Sequence, residues 1–184
     1  MKTWNKFGGI VVMALLGACA QVATAQAPPA AVKDFDARVT KYLELRKNET
    51  GDPQRPTKSP EQITSNEQEI AAKMRAARAG AKQGDIFTPQ IAGYFRQRIA
   101  RAMKGNKGER VEKSMRRAEP VDGVQLRVND TYPAGVPLQS TPPSLLLKLP
   151  ALPSALEYRV VGQNLVLHDI AANLVVDFIP NAMP

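Results

Sequence analysis

The sequence predicts an α+β fold, with about three or four basic N-terminal helices followed by a small antiparallel β meander. Three observations predict it. Apolar residues recur at helical spacing over residues 32–104, then alternate with polar ones after residue 120. Charge divides at the same place, with 20 basic and 12 acidic side chains in residues 33–119 against three and five in residues 120–184. Composition shifts there too, from Ala, Arg, Lys, Gln and Glu to Val, Leu and Pro. At 184 residues the chain is one ordinary domain's worth, too short for a multidomain enzyme.

Residues 1–25 read as a signal peptide. Lys2 and Lys6 precede an apolar run from Phe7 to Ala20, which at about 14 residues falls short of a bilayer span. Ala23-Thr24-Ala25 is a small-x-small cleavage site that would release a chain beginning at Gln26, with residues 26–31 as a tether. Leu16-Gly17-Ala18-Cys19 offers an alternative, since it resembles a lipoprotein box in which Cys19 would be lipidated. The expected location is periplasmic or secreted, or lipid-anchored through Cys19, with no transmembrane helix in the mature chain. Cys19 is the one cysteine, so no disulfide can form within the chain and packing must supply stability.

The basic half, residues 32–119, reads as helices. In the first, Val32, Phe35, Val39, Tyr42 and Leu43 share a face, and Gly51-Asp52-Pro53 stops it. Ser59 is a suitable N-cap for the second, with Pro60 in the first helical position and Gln62 where a capping box wants its reciprocal side chain. Its stripe of Ile63, Ile70, Met74, Ala77 and Ala81 predicts a helix to residue 82, with Arg75, Arg78 and Lys82 together on one flank. Thr88-Pro89 repeats the cap-then-proline signal and opens a third helix with the stripe Ile91, Ala92, Phe95, Ile99, Ala102 and Met103. Its outer face carries Arg96, Arg101 and Lys104. Residues 109–118 read as a short charged helix or a solvated tail.

The second half, residues 120–184, changes period. Val124, Leu126 and Val128 alternate with polar residues and predict a strand. Six prolines between Pro133 and Pro153 forbid regular sheet and predict a connector, with one helical turn at residues 144–149. Three short β-rich runs follow, at residues 156–161, 165–169 and 174–179, joined so closely that they must be antiparallel neighbours. In the last, alternation places Leu174, Val176 and Phe178 on one face and Asp177 opposite. Asn173 suits a left-handed position closing a bulged hairpin loop. A sheet this small needs a helix or the connector across its apolar face, so the two halves are expected to pack as one domain.

The segments Leu156-Glu157-Tyr158-Arg159-Val160-Val161-Gly162, Leu165-Val166-Leu167-His168-Asp169 and Asn173-Leu174-Val175-Val176-Asp177-Phe178-Ile179 resemble the C-terminal hairpin module of small exported bacterial proteins of unknown function. The run from Arg75 to Pro89, RAARAGAKQGDIFTP, is similar to a segment of the same group. In its hairpin pattern the C-terminal part also resembles the β module of RcnB-type periplasmic proteins, which are linked to metal homeostasis. The first resemblance implies export and a compact α+β fold; neither brings an activity or metal ligands to this sequence.

With one His and one Cys, the chain has almost nothing from which to build a zinc site, a thiol nucleophile or a His-based triad. Gly105-x-x-Gly108 lacks the Lys-Ser/Thr of a phosphate loop. His168, beside Asp169 and with Asp177 on the neighbouring strand, is the one place for a base and its orienter or a pair of metal ligands. That supports, as an alternative, a minor hydrolase or metal-handling protein using His168 and nearby carboxylates such as Asp177. No cofactor is predicted. The principal reading is a non-enzymatic binding or structural module of the cell envelope. Residues 73–117 hold 13 basic side chains against three acidic ones, and Arg75, Arg78, Lys82, Arg96, Arg101 and Lys104 are the candidate contacts with anionic lipid, lipopolysaccharide or cell-wall polymer. Phe87, Tyr94 and Phe95 are the stacking platforms in that window, too few for nucleic acid, which export also removes.

Overall fold

The computed structural model describes residues 29–51, 59–104, 124–133 and 143–183. The predicted leader with Cys19, the predicted tether up to residue 28, the segment at 109–118 and residues 134–142 of the proline-rich connector lie outside the described residues. Among the described residues four helices, α1 (Ala30–Thr50), α2 (Pro60–Ala77), α3 (Pro89–Ala102) and the single turn α4 (Pro143–Leu146), precede three strands, β1 (Leu156–Val161), β2 (Asn164–Asp169) and β3 (Leu174–Ile179). The strands form one antiparallel sheet in the order β1-β2-β3, so the fold is α+β with a C-terminal meander. No helix among the described residues is long and apolar enough to cross a membrane.

The helix stripes bury unequally. Val32, Phe35, Val39 and Tyr42 of α1 and Ile91, Ala92, Phe95 and Ile99 of α3 enter the core, as their spacing dictates. In α2 only the C-terminal part is committed: Met74 and Ala71 are buried, whereas Ile63, predicted on the same face, is 49% exposed. Helix α2 also ends at Ala77 rather than residue 82, because Arg78 leaves the helical path to reach across to the sheet. Ser59 caps α2 through the amide of Gln62, but Thr88 makes no side-chain cap bond to α3. Phe35, Phe87 and Phe95 meet with ring centroids 5.4–5.5 Å apart, a cluster that joins α1, the α2–α3 loop and α3, and Phe95 meets Tyr158 of β1 edge-on at 5.6 Å. One buried cluster therefore draws on the helices and on the inner face of the sheet, where Leu156, Val160, Leu165, Leu167, Leu174, Val176 and Ile179 project.

Gly162 takes φ 56°, the sign that a two-residue hairpin turn requires at its first position, and sets the register Glu157↔His168 between β1 and β2. Asn173 sits at φ 48°, the left-handed conformation predicted for it. Between β2 and β3 the register slips at Leu167/His168, so that Asp177 pairs with Leu167 and Val175 with His168. Val176 is the extra residue of this bulge. The slip corrects the predicted alternation: Phe178 turns to the outer face beside Val166 and Val175, and Asp177 turns inward to the helices.

Residues 124–128 form no strand. The segment instead turns at 128–130, with Asn129 at φ 68°, and lies along β3 through bonds between Asn129 N and Val175 O, Val175 N and Asp130 O, and Tyr132 N and Asn173 O. Its apolar side chains Val124, Leu126 and Tyr132 cover the outer face of the sheet over Val161, Val166 and Val175.

Candidate functional site

The strongest polar geometry lies where the helices meet the sheet. Asp177 is fully buried, and its carboxylate accepts the amide hydrogens of Gly84 (3.0 Å), Ile86 (2.8 Å) and Phe87 (2.7 Å). Gly84 holds φ 91°, a conformation a side chain rarely adopts, and this lets the loop wrap the carboxylate. The bulge at Val176 is what aims Asp177 at these amides. Here the RAARAGAKQGDIFTP segment meets the last strand.

A second buried carboxylate closes the other end. Asp169 accepts the Tyr42 hydroxyl at 2.7 Å and the amides of Ala171 and Ala172 at 3.1 Å each. Arg46 Nε lies 3.1 Å from the same Oδ2 in ion-pair contact, without making a hydrogen bond. Burial, followed by the adjacent Asp169 charge, pushes the Tyr42 hydroxyl well above the ordinary phenol range. The Arg78 guanidinium stands 5.0 Å over the Tyr42 ring and donates to Asn129 Oδ1 at 2.8 Å and to Val176 O at 3.0 Å. Burial draws its pKa down, and Tyr42 and Asp177 pull it back up.

His168 lies on the opposite, outer face. Its Nδ1 is 2.9 Å from Glu157 Oε1 and its Nε2 is 3.0 Å from Asn173 Oδ1, while Asn173 Nδ2 donates to Glu67 at 2.9 Å. The Glu67 carboxylate fixes that amide orientation, so both ring nitrogens meet acceptors. Arg159 completes the group with a 2.6 Å bond to the same Glu157 oxygen, and the Tyr132 ring packs on the imidazole at 4.9 Å. Among the described residues the buried Tyr132 hydroxyl has no hydrogen-bond partner, and burial raises its pKa. The sheet thus separates His168 from Asp177 and Asp169 and does not bring them together as a base and orienter or as paired ligands. Among the described residues no three His, Cys, Asp or Glu side chains gather as a metal-binding group. Glu157 and Asn173, the partners His168 does have, follow from the Gly162 turn register and from the loop at Asn173; Glu67 lies too far away in sequence to be read.

The predicted cationic residues separate into two sets. Arg78 is buried in the core contact just described, and Arg75 donates to Asn129 O and Thr131 Oγ1, so both tie α2 to the segment along β3. Lys82, Arg96, Arg101 and Lys104 are exposed. Lys82 and Arg96 flank a groove of about 400 Å³ with Phe178 and Pro180, and Arg96 donates to Pro180 O at 2.8 Å. Helix α3 carries Arg96, Arg98 and Arg101 and no Asp or Glu. In the stretch from Lys82 to Lys104 the single carboxylate, Asp85, accepts the Lys82 amide. Phe87 and Phe95 are buried in the core, and neither can stack on a base.

Compared with known proteins, the chain matches no family model, no curated protein and no solved structure.

Proposed function

We propose that the protein is an exported, non-enzymatic module of the cell envelope that contacts an anionic surface through the outer face of α3. The observation that carries this reading is the outer face itself, where Arg96, Arg98 and Arg101 stand on a helix without a carboxylate and Lys104 follows its end. A cationic face kept only for solubility is ordinarily interspersed with acidic side chains, as α1 and α2 are: Arg38 pairs with Asp34 and Lys73 with Glu69. The resemblance of the hairpin module to small exported proteins and the leader at residues 1–25 support an envelope address. Anionic lipid, lipopolysaccharide or cell-wall polymer is the partner class consistent with that compartment. The alternative of a hydrolase or metal-handling protein lacks the Asp177 partner expected for His168, which meets Glu157 and Asn173 instead.

Mass spectrometry of the mature chain tests the address: Gln26 at the N-terminus, or a lipidated Cys19, fits export, and an intact Met1 in the cytosol contradicts it. Binding of the chain from Gln26 onward to anionic vesicles, lipopolysaccharide or cell-wall polymer tests the partner class, with affinity expected to fall steeply as salt rises. Binding absent at low salt, or indifferent to salt, overturns the reading.

A further inference from the structure

The turn at α4 leaves apolar surface uncovered. Leu145 is fully buried and fixes the phase of the turn, so that Leu146 and Leu147 face outward, 39% and 83% exposed, the latter the most exposed large apolar side chain among the described residues. Behind them an apolar groove of about 320 Å³ runs along β1, lined by Leu146, Pro150, Ala151, Leu152 and Tyr158. An exposed leucine forgoes the roughly 1.5–3 kcal/mol that burial supplies, and two in succession beside an apolar groove form a patch.

We propose that Leu146 and Leu147 are the point at which the protein enters an anionic phospholipid bilayer. The inference rests on the anionic-surface reading above and adds the site of entry. Shape favours lipid, because Leu147 projects from a turn, and a projecting side chain needs a medium that yields around it. The backbone is prepared for an apolar setting: Lys148 N bonds to Leu145 O at 2.9 Å and Leu149 N to Leu146 O at 3.1 Å, which leaves those amides satisfied without water. Charge agrees as well. Lys148 is exposed beside the two leucines and can extend its amine to the headgroups. Helix α4 packs against α3, whose arginines meet no carboxylate on their own helix. Glu157, the one carboxylate among the described residues lining the groove, is engaged by Arg159 at 2.6 Å and His168 at 2.9 Å.

Trp4 is the single tryptophan of the sequence, so the chain from Gln26 onward, which holds every described helix, strand and core residue, has none. Leu147→Trp in that chain places a fluorophore at the tip. With vesicles of phosphatidylglycerol and phosphatidylethanolamine, the expected result is a blue-shifted emission that lipids brominated in the acyl chain quench. Leu147→Ser is expected to weaken partitioning roughly tenfold, the equivalent of about 1.4 kcal/mol, with its melting curve unchanged. Salt-sensitive binding without a blue shift, and with Leu147→Ser binding as the parent does, overturns insertion and leaves the electrostatic reading standing. Failure of the parent chain to bind these vesicles at low salt overturns both for a phospholipid surface.

Discussion

The carboxylate of Asp177 lies 2.7 Å from the amide nitrogen of Phe87, ninety residues earlier in the chain, and holds the α2–α3 loop against β3. The same carboxylate takes the amides of Gly84, Ile86 and Phe178, so four donors depend on one side chain, those of Ile86 and Phe87 being buried. Asp177→Ala is expected to cost about 3 kcal/mol or more in urea denaturation, because those donors lose their acceptor inside the core. Asp177→Asn keeps one acceptor oxygen and should cost less. A loss under about 1 kcal/mol for the alanine variant would show that the loop holds without this carboxylate.

Arg78 and Arg101 should separate fold from surface. Arg78→Ala removes the bonds to Asn129 and Val176 and the cation over Tyr42, and is expected to destabilise by about 2–4 kcal/mol. Arg101→Ala, at an exposed position, should stay within about 0.5 kcal/mol of the parent. Equal losses in thermal unfolding would contradict the division of the basic residues into two sets.

Alkaline pH should weaken the fold through Tyr42. Burial and Asp169 raise its pKa in the folded state, so the unfolded chain loses the phenol proton first, at about pH 10. The stabilisation is therefore complete below that pH and declines as pH rises beyond it. Tyr42→Phe should cost about 1–2 kcal/mol at neutral pH and show a shallower alkaline decline. Denaturation midpoints measured from neutral to about pH 11 check this, and parallel curves for variant and parent would contradict it.

His168 is expected to act as a tie between β1, the β2–β3 loop and α2. His168→Ala should destabilise by about 1–3 kcal/mol, since Glu157 and Asn173 are left facing each other. Calorimetric titration with zinc or nickel should give the same heat for parent and variant, because His168 and Asp177 face opposite sides of the sheet. A binding heat that disappears with His168 would restore the metal reading.

Much of the fold was legible because local signals and tertiary packing agreed. Ser59-Pro60 opens α2, Pro89 begins α3, and the Gly162 turn alone sets Glu157 opposite His168. The misreadings fall where distant contacts override local pattern. Gly80 and Gly84 mark a fraying end in the sequence, yet the helix stops before either of them, where Arg78 is drawn to Asn129 and the loop to Asp177. A one-residue bulge at Val176 inverts the faces of Asp177 and Phe178, and nothing in the alternation of β3 announces it. Of the candidate surface residues, Arg75 and Arg78 share a flank with Lys82 by spacing, but only contacts made about fifty residues away set apart Arg75 and Arg78, which bond to the segment along β3, from Lys82.

The functional account stands on the outer face of α3, and charge reversal there tests it most directly. In cosedimentation with phosphatidylglycerol vesicles at low salt, Arg101→Glu with Lys104→Glu should weaken binding of the chain from Gln26 onward by at least about tenfold, since each charge near an anionic membrane is worth about 1 kcal/mol. The matched pair Lys33→Glu and Lys41→Glu, exposed on α1, should weaken it distinctly less. Equal losses from the two pairs would reduce the effect to net charge, and no loss from the α3 pair would contradict the account.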